Sequence, residues 1–250
     1  MLEVINLEKS FGGIRAVDGC TFAVENNTIT GLIGPNGAGK TTVFNLISGF
    51  YSPDGGKIVL NGSRIDQLPA HRVPHLRLSR TFQITKELGK MTVIDNLMVA
   101  PLDQMGETLF NSWFRLRSVK RQEKKIREKA LYVLDFLEIP NLKDEYASNL
   151  SGGQKKLLEF GRTMMTDPEI ILLDEPGAGV NPTLMKKLNG YIKRLRGEEG
   201  VTFFLIEHDM DLVMKLCDPI IVMNDGKVLA EGTAVEIQEN RKVLDAYLGG

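Results

Sequence analysis

The stretch "TITGLIGPNGAGKTTVFNLISG", Thr28 to Gly49, decides the fold. An apolar strand, "TITGLIG", runs into a glycine-rich turn that opens the helix "TTVFNLISG". Within it, Gly34-Pro35-Asn36-Gly37-Ala38-Gly39-Lys40-Thr41 fits G-x-x-x-x-G-K-[ST], a phosphate-binding loop placed between strand and helix as its mechanics require. The glycines let backbone N–H groups close around phosphates, and the helix start adds partial positive charge. Lys40 can bridge the β and γ oxygens, the Thr41 hydroxyl can hold Mg²⁺, and Thr42 continues the helix beside them. A chance glycine turn is the bland alternative, and the strand-loop-helix context argues against it. The pattern predicts binding of ATP or GTP.

Further along, "PEIILLDEPGAGVNP", Pro168 to Pro182, runs four apolar residues into Asp174 and Glu175. A buried strand ending there delivers both carboxylates to the carboxyl edge of a sheet, where ligands of α/β proteins bind. Asp174 suits the Mg²⁺ shell, and Glu175, one residue on, can face an attacking water as general base.

The remainder is that of an ordinary globular chain. Its 250 residues suit one large domain or two small ones, and 42% hydrophobic with 25% charged residues argues against disorder. A net charge of −1 gives no general attraction to nucleic acid or anionic lipid. Cys20 and Cys217 each sit in an apolar pattern without metal-like neighbours, so free buried thiols are expected. The start "MLEVINLEKS" alternates like a strand and lacks a basic-then-apolar export pattern. The longest apolar runs, "EIILLD" and "VTFFLIE", are strand-length, so a membrane role has to come through a partner.

Periodicity predicts strands near 2–7, 20–25, 29–34, 57–61, 79–82, 169–174, 201–206 and 219–224, with a hairpin at 225–232. Helices are predicted near 39–49, 92–99, 107–138, 153–166, 182–197, 209–216 and 233–247. No strand is evident between Gln83 and Thr166, as expected of a helical subdomain, 84–166, inserted into an α/β core.

With "LSGGQ" at Leu150 to Gln154 and His208 after "FFLIE", these motifs stand in the order of the ATPase subunit of ATP-binding cassette (ABC) transporters, which the chain resembles nearly end to end. The resemblance implies a single nucleotide-binding domain over 1–250, with a P-loop NTPase core of α/β class, an antiparallel β subdomain and the inserted α-helical subdomain. It implies ATP hydrolysis with Mg²⁺, held by Thr41, Gln83 and Asp174. Gln83, closing "SRTFQ", would sense the metal and the γ-phosphate; Phe11, in "KSFGG", would stack on adenine; and His208 would act as the γ-phosphate switch. The segment "GAGVN", Gly177 to Asn181, would cross between subunits, although Asn181 stands where many family members carry aspartate.

A second phosphate cradle in one chain has a rationale in this family. Ser151, Gly152, Gly153 and Gln154 open a helix whose hydroxyl, backbone N–H groups and dipole suit the γ-phosphate held by another cassette. The alternative is a simple helix-start turn. Expected partners are therefore a second ABC ATPase subunit, identical or distinct, membrane permease subunits on whose cytoplasmic side the chain would sit, and indirectly a solute-binding protein. Nucleic acid is not expected.

Within the family, "FGGIRAVDG", "GPNGAGKTTVFNLISGF", "RTFQ", "MTVIDNL" and "DEPGAGVNP" resemble ATPases of branched-chain amino-acid importers and their relatives for urea and short amides. The lipopolysaccharide-export ATPase is the alternative; "RTFQ" and Asn181-Pro182 favour the importer. A DNA-repair ATPase would need long coiled-coil heptads between P-loop and signature, and a translation ATPase would need two cassettes. The basic run "SVKRQEKKIREKA" pairs Glu123 with Arg127 and Lys124 with Glu128 at helical spacing, which reads as a solvated face. "LFNSWF", Leu109 to Phe114, reads as packing within the insert, with contact to a partner as the alternative.

Overall fold

The computed structural model describes residues 1–81, 88–107 and 113–248. Two compact units emerge: Met1–Gln83 with Glu169–Gly179 and Ile192–Gly250, and Ile84–Pro168 with Val180–Tyr191.

Among the described residues the first unit holds ten strands: β1 (Leu2–Phe11), β2 (Ile14–Val24), β3 (Ile29–Ile33), β4 (Gly55–Leu60), β5 (Ser63–Arg64), β6 (Leu78–Arg80), β7 (Ile170–Asp174), β8 (Thr202–Ile206), β9 (Ile220–Asn224) and β10 (Lys227–Gly232). An antiparallel sheet has the order β2-β1-β4-β5, and a second sheet the order β10-β9-β3-β8-β7-β6. From β9 to β6 the second sheet is parallel, with β10 added antiparallel as the expected hairpin. Strands β3, β7 and β8 are buried at every residue, which is why they read as unbroken apolar runs rather than alternating ones. Helix α1 (Lys40–Ile47) buries Val43, Phe44, Leu46 and Ile47 in a core shared by the two sheets. There the Phe204 ring sits 4.9 Å from that of Phe44 and 5.6 Å from that of Phe22. Each such fully buried aromatic contributes on the order of 1.5–3 kcal/mol of burial, so this cluster anchors the helix that follows the P-loop. Cys20 and Cys217 are free and buried, and burial pushes both thiols up to about 12.

The second unit contains α2 (Val93–Met98), α3 (Leu116–Phe136) and α4 (Gly152–Met164), and the first ten residues of α5 (Pro182–Glu199). Thr92 caps α2, and the buried Asn96 side chain holds the preceding turn by donating to Leu88 O, Met91 O and Thr92 O and accepting from Leu88 N–H. Where helices pack, a Cβ on Gly161 would lie 3.0 to 3.1 Å from Leu137, Leu97 and Val133, so α4 approaches closely there.

Three elements differ from expectation. Strand β2 begins at Ile14, well before residue 20, because ladder pairing with β1 extends along a stretch in which only Val17 is buried and the apolar residues do not alternate. The helix expected over 233–247 is two, α7 (Ala234–Glu239) and α8 (Arg241–Leu248), parted at Asn240, whose side chain accepts from Lys242 N–H. Within the helix expected over 107–138, Arg115 interrupts the helical backbone and α3 starts at Leu116. Between the two last, α6 (Met210–Leu216) falls where periodicity placed it.

Candidate functional site

Strands β3, β8 and β7 lie side by side and parallel, so the segments that follow them leave the sheet at one edge. After β3 comes the glycine loop. Gly34 and Gly39 have φ of 149° and 99°, and a Cβ on either would meet a carbonyl oxygen, Met223 O at 2.1 Å or Ala16 O at 2.3 Å. Only glycine lets the loop lie this close to its neighbours. Pro35, Asn36, Gly37 and Ala38 complete the turn, and Thr41 and Thr42 lie in the first turn of α1. The buried Lys40 ammonium donates to Gly34 O at 2.7 Å and Pro35 O at 3.0 Å, leaving its third N–H for a phosphate oxygen. Burial draws this ammonium below the ordinary lysine value, and the Glu175 carboxylate opposes the shift.

Asp174 closes β7 and is buried against Arg80, the last residue of β6. The Arg80 guanidinium donates to Asp174 Oδ2 at 2.7 Å, to Asn45 Oδ1 at 2.7 Å and to Ser48 Oγ at 2.9 Å. It also faces the rings of Phe44 and Phe50 at 5.8 and 5.7 Å. One arginine thereby joins the P-loop helix to the strand that carries the metal candidate. Asp174 Oδ1 is buried and has no hydrogen-bond partner among the described residues. An unsatisfied carboxylate oxygen at this edge, near the Thr41 hydroxyl's helix, is the kind of donor that a hard cation such as Mg²⁺ takes. Gln83, the third expected ligand, lies outside the described residues.

Glu175 turns out of the strand with φ of 50°, a conformation that costs a non-glycine residue about 1 kcal/mol or more. Its own N–H donates to Ile206 O at 3.0 Å and its carbonyl accepts from Ala178 N–H at 3.0 Å, which hold the turn in place. From the end of β8, His208 Nε2 lies 2.9 Å from Glu175 Oε1. An ionised carboxylate only accepts, so Nε2 carries the proton in this pair. Between them sits Glu207, buried, accepting from the backbone N–H groups of Gly177 and His208. Burial raises its carboxyl above the ordinary glutamate value, with backbone hydrogen bonds opposing and the nearby Glu175 charge adding to the rise.

At the end of β1, Phe11 is 43% exposed, with the Tyr51 ring edge-on at 5.2 Å and the Lys9 ammonium 5.6 Å from its centroid. Lys9 is itself fixed by Asp54 and Ser52 O, each at 2.8 Å. An exposed ring with its edge and one neighbour fixed offers a planar surface for stacking.

In the second unit, Ser151 caps α4 in a reciprocal box: its Oγ accepts from Gln154 N–H at 3.3 Å, and Gln154 Oε1 accepts from Ser151 N–H at 2.8 Å. A Cβ at Gly153 would lie 2.7 Å from the end of Leu184, whereas at Gly152 it would meet nothing within 4 Å, and neither residue has positive φ. Among the described residues nothing therefore requires glycine at 152.

Sequence reasoning assigned no role to Arg80 or Glu207. Each nonetheless has a signal, a charge in or at the end of an apolar strand, the same pattern that singled out Asp174.

Residues 17–178 match the model of the ABC transporter family, and residues 227–250 match that of the branched-chain amino acid ATP-binding cassette transporter. A high-affinity branched-chain amino acid transport ATP-binding protein of Pseudomonas aeruginosa is 43% identical over 249 residues, covering all of this chain and 98% of its own length. The protein of the same description from Escherichia coli strain K12 is 42% identical, again over 100% and 98%. A solved ADP conformation of an ATP-binding cassette of an ABC transporter is 36% identical, with a TM-score of 0.84 over 100% of this chain and 99% of that one.

Proposed function

As the chain belongs to the ABC transporter family of ATP-binding cassettes, we propose that it is the ATP-hydrolysing subunit of an importer for branched-chain amino acids or other small amino acids and amides. It is a nucleotide-binding ATPase. The solute class is supported by the named activity of its relatives and by the match of residues 227–250 to a branched-chain amino acid family model.

The observation that carries the hydrolytic reading is the edge where Lys40, the unpaired Asp174 oxygen and the Glu175–His208 pair at 2.9 Å follow three adjacent parallel strands. Lys40 and the loop N–H groups bind the β and γ phosphates of ATP, and Phe11 stacks on the adenine. Thr41, Asp174 and Gln83 would hold Mg²⁺. When bound, the ion neutralises charge on the phosphate oxygens in the loose transition state of phosphoryl transfer. Glu175 orients the attacking water and takes its proton, and His208 donates Nε2–H to the γ-phosphate.

Ser151, Gly152, Gly153 and Gln154 serve a second cassette. The open space around Gly152 supports this, because glycine there suits an approach from outside the chain. Among the described residues no helix is long and apolar enough to cross a membrane, so attachment on the cytoplasmic face would run through permease subunits fed by a solute-binding protein. The test is to purify the chain with its membrane subunits in liposomes and measure ATP turnover and solute uptake. Stimulation by leucine, isoleucine or valine with the binding protein is expected, and lost on Glu175→Gln. Turnover unaffected by that change would refute the site, and recovery of a lipid-exporting membrane pair would refute the solute class.

A further inference from the structure

We propose that Glu207 is a positioning residue for ATP hydrolysis, its buried carboxylate tying the backbone just beyond Glu175 to the backbone of His208 so that base and switch keep one relative geometry. The inference rests on the roles given above to Glu175 and His208.

The two groups it aligns follow different strands and meet through the side-chain contact of His208 Nε2 with Glu175 Oε1. Glu207 adds a second link through the main chain. Its Oε1 accepts from Gly177 N–H at 2.7 Å, two residues beyond Glu175, and its Oε2 accepts from His208 N–H at 3.2 Å. Asp209 N–H also bonds the carboxylate. With Glu175 N–H on Ile206 O, the segment from Glu175 to Gly177 is fastened at both ends to the residues around His208. This matters because Glu175 sits at a φ that its side chain disfavours, and such a turn persists only where its surroundings fix it.

The choice of residue supports a role in alignment rather than simple filling. A buried carboxylate without a cation costs free energy, and among the described residues no lysine or arginine pairs with Glu207. Its position beside a second carboxylate, Glu175, adds to that cost. What the carboxylate supplies in return is two acceptor oxygens on a side chain long enough to serve two loops at once. Glutamine keeps the length but has one acceptor and one NH₂ group, which cannot accept, so it holds one loop and releases the other. Alanine releases both.

The experiment compares wild type, Glu207→Gln, Glu207→Ala and Glu175→Gln as full chains, alone and in the assembled transporter. It records kcat and KM for ATP, ADP affinity by calorimetry, and Tm. A loosened base and switch should cost about 10²-fold in kcat for Glu207→Ala and about tenfold for Glu207→Gln, the size expected of misplacing a catalytic group by roughly 1 Å. KM and ADP affinity should stay within about threefold of wild type, because the P-loop is untouched and ground-state binding does not use the aligned pair. Wild-type kcat in Glu207→Ala, with Glu175→Gln inactive, would overturn the inference and leave the hydrolytic reading standing. A kcat loss matched by an equal loss of ADP affinity would also overturn it, as the mark of a merely structural residue. If Glu207→Ala does not fold, Glu207→Gln decides alone, and wild-type kcat there is the refuting result. Wild-type turnover in Glu175→Gln would instead remove the premise, and the inference with it.

Discussion

Replacing Arg80 by methionine tests how the metal candidate is held. The pair Arg80–Asp174 has side chains only 10% and 5% exposed, with N to O at 2.7 Å, so it is buried rather than solvated. Removing one partner of such a pair leaves a buried charge unmatched, which typically costs about 3–5 kcal/mol. Asp174 has little to fall back on, since its other oxygen has no partner among the described residues. Asn45 Oδ1 and Ser48 Oγ each lose a hydrogen bond as well, on the order of 1 kcal/mol apiece. Methionine keeps most of the packing over Phe44 and Phe50, so relaxation should bring the total down to about 4 kcal/mol, below the plain sum of those terms.

At roughly 2–4 °C per kcal/mol for a chain of this size, Tm should fall by about 8–16 °C in nucleotide-free buffer. Asp174→Asn in the Arg80→Met background removes the stranded charge. The double variant should therefore be less destabilised than the sum of the singles by about 2 kcal/mol. Magnesium with ADP brings positive charge to the same carboxylate, so Arg80→Met should gain more in Tm from MgADP than wild type does. Scanning calorimetry of the four proteins, with and without MgADP, settles it. A Tm within 2 °C of wild type for Arg80→Met, or additivity within about 0.5 kcal/mol, would refute the view that the two residues form one buried unit.

Lys40→Ala should weaken ATP binding by at least about 10²-fold, because a phosphate charge loses its partner in a poorly solvated site; calorimetry showing wild-type affinity would count against the assignment. Gly39→Ala should lower Tm and abolish nucleotide binding, since its Cβ would lie 2.3 Å from Ala16 O at a positive φ; an unchanged melt would contradict that packing. Gly152→Asp should leave Tm and single-site binding unchanged and block ATP-driven dimerisation of Glu175→Gln protein on gel filtration, and a normal dimer would rule out a signature acting on a partner's phosphate. The raised carboxyl of Glu207 binds its proton more tightly folded than unfolded, so it adds stability that is complete below the ordinary glutamate value of 4.5 and lost as pH rises through the folded one. Urea midpoints of wild type should therefore rise relative to Glu207→Gln as pH falls from 7.5 toward 5, and parallel curves would disprove the shift.

Much of this architecture was legible in the sequence because burial writes itself locally. Strands β3, β7 and β8 are buried on both faces, so they appear as apolar runs, and the loops after them carry the glycines, carboxylates and histidine that ladder geometry sends to one edge. Where a residue's partner is distant, the signal fails. Arg80 meets Asp174 across 94 positions and Glu207 meets Gly177 across 30, and no local pattern names either pair. The early part of β2 was missed for another reason: from Ile14 to Gly19 its residues pair with β1 through backbone while only Val17 is buried, so no alternation marks them. The break at Asn240 lies in an unbroken periodic stretch, but asparagine followed by a new helical turn is a capping signal that periodicity alone overlooks.

The charges at the sheet edge give the hydrolytic reading its internal logic. Asp174, Glu175 and Glu207 bring three carboxylates, whereas Lys40 and Arg80 bring two cations, one of them already committed to Asp174. A polyphosphate entering such a set meets an excess of negative charge, so its binding would favour arrival with a divalent cation, for which the open Asp174 oxygen is the proposed ligand. In the proposed mechanism the Nε2–H of His208 then has two acceptors within reach, Glu175 and the γ-phosphate. While Nε2–H is donated to Glu175, Oε1 of that carboxylate is already occupied by a hydrogen bond. In the proposed mechanism a γ-phosphate that captures Nε2–H would exchange the partner and free Glu175 Oε1 to accept from water. Substrate binding and activation of the base would then become one event, and it would depend on Glu175 and His208 staying within one hydrogen bond of each other, the distance that the proposed Glu207 brace would keep.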